Sequence, residues 1–143
     1  MLISAVSCAI VILGRFTKFL ALKYLPSHES IPVVSNIFHL SLVRNPGIAF
    51  GLFGNGAPGL IVIIILCLVM LILLSIQMRK ARLSQRISLA FILGGAAGNL
   101  IDRLLFGHVV DFLDFRIWPV FNLADSFITV GVFAFLLAAA KSK

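Results

Sequence analysis

Four of the five acidic side chains, Asp102, Asp111, Asp114 and Asp125, fall within one short stretch of a chain that is 61% hydrophobic. A carboxylate in or beside an apolar span is costly, roughly 2.5 to 3.5 kcal/mol at the span centre, so such groups face a protein interior and act there. Two carboxyl groups within hydrogen-bonding reach do not both ionise cheaply and hold one proton between them near neutral pH. One then takes a proton from water while the other gives a proton to a carbonyl oxygen, which is amide hydrolysis without a metal or a covalent nucleophile. Asp111 and Asp125 have no cation beside them in sequence and are the candidates for this chemistry. Asp102 has Arg103 next to it and Asn99 one helical turn before, so it reads as an ionised structural carboxylate. Plainer readings stand beside the chemical one: Asp125 as the third residue of a capping box begun by Asn122, and Asp111 as an exposed loop acid.

Other reactive types are poorly placed. Ser126 adjoins Asp125 but has no histidine or lysine identifiable as its base. Cys8 and Cys67 lie inside apolar runs, far apart and without metal-type spacing, and read as small buried hydrophobes rather than a disulfide. His28, His39 and His108 are scattered over polar connections with no two-ligand motif, so neither a metal nor another cofactor is expected. The net charge of +7 carries no basic stripe interleaved with aromatics, which argues against nucleic acid.

The elements that must bring these residues together are transmembrane helices. With 12% charged residues and a mean hydropathy of +1.14, the chain lies outside the range of soluble domains. Four apolar segments, about 2–24, 58–78, 87–106 and 122–140, are each long enough to cross a hydrocarbon core of roughly 30 Å. The expected fold is an all-α membrane protein of four transmembrane helices with a small extracytoplasmic β element, one domain over residues 1–143. The first segment lacks a basic lead and a small-x-small cleavage site and reads as a retained span.

Residues 79–86 hold four cations and no acid, which puts that loop in the cytoplasm. An even number of spans then puts both termini there, and residues 25–57 and 107–121 outside. In the first outer connection, Phe38-His39-Leu40-Ser41-Leu42 alternates with period two and predicts a short strand, while Pro26 and Pro32 oppose a helix. Asn45-Pro46-Gly47 predicts a turn. In the second, Phe112, Phe115, Trp118 and Phe121 read as packing or an interfacial aromatic belt. The small residues of Gly94-Gly95-Ala96-Ala97-Gly98 predict a close helix-helix seam in the third span. The polar ends of the third and fourth spans are expected to meet.

Four blocks carry a resemblance. Asn45-Pro46-Gly47-Ile48-Ala49-Phe50-Gly51, Gly94-Gly95-Ala96-Ala97-Gly98-Asn99-Leu100-Ile101-Asp102-Arg103, Gly107-His108-Val109-Val110-Asp111-Phe112 and Phe121-Asn122-Leu123-Ala124-Asp125-Ser126 resemble, in order and spacing, the signature segments of bacterial lipoprotein signal peptidases (signal peptidase II). The resemblance implies an aspartic endopeptidase of the bacterial cytoplasmic membrane. It would remove the signal peptide from diacylglyceryl-modified prolipoproteins just before the lipidated cysteine, with its active site near the outer face. It implies catalytic Asp111 and Asp125, with Asn45, Gly47, Asn99, Asp102, Arg103 and Asn122 binding substrate or supporting the site. Expected partners are lipid-modified prolipoproteins and membrane phospholipid, and the working form a monomer.

The first span departs from the family pattern. Members usually carry an Asp-Gln pair four and three residues before a lysine, whereas Gly14 and Arg15 precede Lys18 here. Arg15 and Lys18 are thereby two intramembrane cations in need of partners; for Arg15 the candidates are snorkelling, Asp102 or a lipid phosphate. The missing acid also raises an alternative, a relative that binds prolipoprotein or lipid without cleaving. A third reading is a small channel with its acids on a cation path.

Overall fold

The computed structural model describes residues 2–47 and 56–141. Its elements run α1 (Leu2–Tyr24), β1 (Ser30–Val34), β2 (Phe38–Asn45), α2 (Gly56–Lys80), α3 (Leu83–Phe106), β3 (Val109–Asp114) and α4 (Leu123–Ala140). All four helices are long and apolar enough to cross a membrane, so this is a multi-pass membrane protein with a small sheet. The second and third helices begin two to four residues before the spans expected from hydropathy, because polar and small residues complete their first turns.

The helix α3 is central. It packs against α1, α2 and α4, and most of its span is buried, whereas α2, among its described residues, buries only Ile63 and leaves much of its apolar surface exposed, as a lipid-facing helix does. Adjacent glycines let two neighbours approach α3 on different sides. A Cβ on Gly94 would stand 2.8 Å from the Ser7 carbonyl of α1, and one on Gly95 would run into the Ala124 carbonyl of α4. Gly131 of α4 repeats the device against the Ser88 carbonyl at 2.8 Å. The seam expected from the small residues is therefore a double one, and it brings the first turn of α4 onto the middle of α3.

The helix ends are closed locally. Arg86 donates from Nε to the Met78 carbonyl (3.0 Å) and from Nη2 to the Arg79 carbonyl (3.1 Å), which satisfies the last turn of α2 across the α2–α3 connection. Gly107 ends α3 in the left-handed region at φ 74°, its N–H donating to the Arg103 carbonyl. The chain then turns directly into β3.

The strands form one antiparallel sheet in the order β1-β2-β3, with Val43 opposite Asp111 and Asn45 opposite Val109. The strand expected at residues 38–42 is the first part of β2, and Pro32 sits on the edge strand β1, where its missing N–H is tolerated. Residues 107–121 differ from the loop expected there: they contain β3. That strand pairs with β2 and packs on the ends of α1 and α3, so both its faces are covered and Val-Val-Asp-Phe-Leu-Asp shows no apolar-polar alternation. His39, within the strand expected at residues 38–42, stands opposite Asp114.

The glycine seam is testable by contrast. Gly95→Ala forces a methyl group onto the α4 backbone and should lower stability by about 1 to 3 kcal/mol. Gly14→Ala meets only the Ala124 Cβ at 3.6 Å and should be neutral or stabilising. Unfolding temperatures measured in one detergent separate the two; equal melting would mean that α4 does not press on Gly95.

Candidate active site

Asp111 and Asp125 reach one place from two elements. Asp111 stands in the middle of β3 and is 2% exposed, and Asp125 occupies the first turn of α4. Asn122 joins them: its Nδ2 donates to Asp111 Oδ1 (2.7 Å), and its backbone N–H donates to Asp125 Oδ2 (3.1 Å). The capping box expected at Asn122 and Asp125 is present, and it is compatible with the chemical reading because the cap is what holds Asp125 beside Asn122. The exposed-loop reading of Asp111 is overturned by its burial in a strand.

Three asparagine amides are each oriented by a neighbour that only donates. The Asn122 Oδ1 accepts from the N–H groups of Ala124 (2.8 Å) and Asp125 (3.2 Å), so its NH2 must face the other way, toward Asp111. Asn45 Oδ1 accepts the Gly47 N–H (3.0 Å) and Asn45 Nδ2 donates to Asp111 Oδ2 (3.0 Å). Asn99 Oδ1 accepts from the Lys18 ammonium (2.6 Å) and Asn99 Nδ2 donates to Asp125 Oδ1 (2.7 Å). All four carboxylate oxygens of the pair thus accept a hydrogen bond from the protein.

Burial of the Asp111 carboxyl pushes its pKa from 3.8 up to about 6, and the charge of Asp125 adds to the rise. The amides of Asn122 and Asn45 and the Lys18 ammonium oppose it without cancelling it. Asp114, three residues on in the same strand, points to the other face and does a different job. Its burial opposes ionisation, but the Arg116 N–H, the Ser41 hydroxyl and the Arg116 guanidinium outweigh that and hold its pKa below the ordinary value. It pins Arg116 at φ 65° in the turn after the strand.

Asp102 is fully buried, and its partners differ from the sequence expectation. Arg103, its neighbour along the helix, points elsewhere and donates to the Gly47 carbonyl (2.8 Å) and the Asn99 carbonyl (3.4 Å), because adjacent helical residues do not face each other. Asp102 Oδ1 is bonded by Arg15 Nη1, and Oδ2 accepts from Lys18 Nζ (2.7 Å) and the Val110 N–H (3.3 Å). Of the candidates considered for Arg15, the structure selects Asp102. Lys18 is the residue whose part in the site sequence reasoning missed; a lysine within an apolar span was the available signal.

These groups close one end of a cavity of about 390 Å³. Asn45, Asn99, Arg103, Asp111 and Asp125 line its polar end, while Ile63, Leu66, Cys67 and Met70 of α2 and Ile128 of α4 line an apolar wall. Trp118, Pro119, Val120 and Phe121 lie along its rim, held by the stacked rings of Phe115 and Phe121 and by the Phe121 N–H donating to the Leu113 carbonyl (3.0 Å). Cys67 is therefore a half-buried cavity-wall residue and Cys8 is exposed on α1, so neither is the buried hydrophobe expected from its apolar surroundings in sequence. Ser126 donates its hydroxyl to the Asn122 carbonyl (3.3 Å). Residues 48–51 of the Asn45 block lie outside the described residues.

A fold of four spans with two carboxyl groups at the junction of helix and sheet, at the polar end of an otherwise apolar cavity, has the form of a membrane hydrolase. Residues 6–141 match the family described as Signal peptidase (SPase) II, and the chain belongs to that family. It is 50% identical over 123 residues to the lipoprotein signal peptidase of Caldanaerobacter subterraneus subsp. tengcongensis, covering 85% of this chain and 84% of that protein. It is 46% identical over 120 residues to that of Moorella thermoacetica, covering 84% and 80%. Its fold matches a bacterial membrane enzyme solved by the in meso method at 2.3 Å resolution, with a TM-score of 0.85 and 30% identity over 96% of this chain and 86% of the other.

The raised pKa of Asp111 has a consequence for stability. Between about pH 4 and 6 the folded protein holds a proton that the unfolded chain has released, so the stability this group supplies is present at low pH and lost as pH rises through 6. Asp111→Asn abolishes that dependence. The stability of the variant relative to wild type should therefore rise from pH 4 to pH 7, by up to roughly 3 kcal/mol. Unfolding measured in detergent at both pH values checks it, and a difference that does not change with pH would mean that Asp111 titrates normally.

Proposed function

We propose that this protein is a lipoprotein signal peptidase that uses Asp111 and Asp125 as an aspartic catalytic pair. It removes the signal peptide from diacylglyceryl-modified bacterial prolipoproteins by hydrolysing the peptide bond just before the lipidated cysteine. The observation that carries the reading is the pair itself: two carboxyl groups hydrogen-bonded to the same asparagine at the polar end of an otherwise apolar cavity.

In the reaction, one carboxylate takes a proton from a water whose oxygen attacks the scissile carbonyl carbon, and the partner carboxyl gives its proton to the carbonyl oxygen. The resulting gem-diol collapses as the carbon-nitrogen bond breaks, the amine nitrogen taking up a proton from the pair. A pKa of about 6 suits Asp111 to exchanging protons near neutral pH, where both directions of transfer are needed. Asn45, Asn99 and Asn122 hold the carboxyl groups in place, and Gly47 and Arg103 brace the Asn45 turn against α3. The apolar wall of α2 and α4 suits the acyl chains and signal helix of the substrate.

The whole of residues 1–143 acts as one peptidase domain, as a monomer, in contact with membrane phospholipid. The basic α2–α3 connection supports an orientation in the bacterial cytoplasmic membrane with both termini inside and the carboxyl pair near the outer face. The motive for a binding-only reading, the absent acid in α1, weakens once Arg15 and Lys18 are both engaged by Asp102.

Purified protein should shorten a diacylglyceryl-modified prolipoprotein, and Asp111→Asn and Asp125→Asn should each lower kcat by about 10^2 to 10^4. Normal turnover by either variant would remove that residue from the pair. Cleavage should also proceed unchanged in excess chelator, and strong inhibition would redirect the mechanism to a metal.

A further inference from the structure

Arg15 touches neither Asp111 nor Asp125, yet it stands at the far end of a chain of hydrogen bonds that ends on Asp125. Asp102, fully buried, presents two oxygens: Arg15 Nη1 bonds Oδ1, and Lys18 Nζ bonds Oδ2 at 2.7 Å. Lys18 is 2% exposed and spends a second donor on Asn99 Oδ1 at 2.6 Å. An ammonium has donors only, so the face of the Asn99 amide turned toward it must be the oxygen, and the NH2 is thereby directed to Asp125 Oδ1 at 2.7 Å. Arg15 is itself held from the side by the Phe106 ring, 5.4 Å from the guanidinium carbon, and is one-third exposed at the edge of the bundle.

We infer that Arg15 is a positioning residue for peptide cleavage: by occupying one oxygen of Asp102 it leaves the Lys18 ammonium to span Asp102 and Asn99, and so sets the orientation of the Asn99 amide on Asp125. Without Arg15, Asp102 Oδ1 becomes a buried acceptor stripped of its cation, which is costly. The mobile donor within reach is Lys18, whose flexible four-carbon stem lets it settle between the two carboxylate oxygens. Asn99 Oδ1 then keeps only the Asn122 Nδ2 contact at 3.2 Å, so the donors that hold the Asn99 amide with its NH2 toward Asp125 fall from two to one and the stronger, charged one is lost. Neutralising Asp102 with Arg15 also leaves the Lys18 charge available to the carboxyl pair. The inference rests on the peptidase reading above.

The test compares wild type, Arg15→Gln, Arg15→Met and Arg15→Lys, purified in one detergent, for unfolding temperature and for steady-state cleavage of a diacylglyceryl-modified prolipoprotein. Arg15→Gln and Arg15→Met, which retain length and the packing on Phe106, should lower kcat about tenfold to a hundredfold with KM nearly unchanged. Arg15→Lys should restore most of the lost kcat. Wild-type kcat in a folded Gln or Met variant, a loss confined to KM, or a Lys variant no better than Gln would each overturn the positioning role. So would failure of both neutral variants to fold while Arg15→Lys folds with full activity, since Arg15 would then serve folding alone. A wild-type protein that does not cleave at all defeats the peptidase reading and this inference with it; cleavage by wild type matched by the Gln variant defeats only the latter.

Discussion

A carboxyl group with no exposure to solvent, Asp102, sets the terms for the rest of the bundle. A buried charge is tolerable only when paired and fully hydrogen-bonded, and Arg103, the next residue of the same helix, points to the Gly47 and Asn99 carbonyls instead. Both its cations come from α1, one turn apart, so Arg15 and Lys18 bind α1 to α3 at the depth where the acids lie. The Val110 N–H adds β3 to the same carboxylate, which ties the strand that carries Asp111 to the helix that carries Asn99. One ion cluster thereby connects three of the elements that contribute to the site.

From that cluster outward, orientation passes through groups with a single hydrogen-bonding sense. Lysine and backbone N–H groups cannot accept, so each asparagine must turn its oxygen to them and its NH2 to a carboxylate. The result is a pair of acids held from outside by amides rather than by cations. A cation directly on Asp111 would favour ionisation strongly; amides do so weakly enough that burial wins and the pKa rises to about 6. The glycine seams make this arrangement reachable, since without the close approach at Gly95 the first turn of α4 would stand too far from α3 for Asn99 to reach Asp125.

The wider architecture suits the substrate proposed for the site. The apolar wall comes from α2, the helix least engaged with its neighbours, and the polar end comes from the tightly packed α3, α4 and β3. A tightly packed corner that carries two carboxyl groups thus faces a helix with much of its apolar surface exposed, and one cavity presents hydrocarbon on one side and acids on the other.

Hydropathy alone placed four spans, and local rules placed what lies within one turn or one alternation: the Asn122 and Asp125 cap, the glycine seam and the first part of β2. These are legible because helical and strand periods act over a few residues, and because membrane cost confines acids to places where they are used. For Asp102 the sequence offered both Arg103 and Arg15 and did not decide between them, because adjacency to Arg103 is not proximity on a helix and contact with Arg15 depends on how α1 packs on α3. Nor was β3, whose two covered faces erase the alternation that marks a strand. Pairings such as Lys18 with Asn99, or Asn45 with Asp111, join residues dozens of positions apart, and only the packing of α1 and the sheet against α3 decided them.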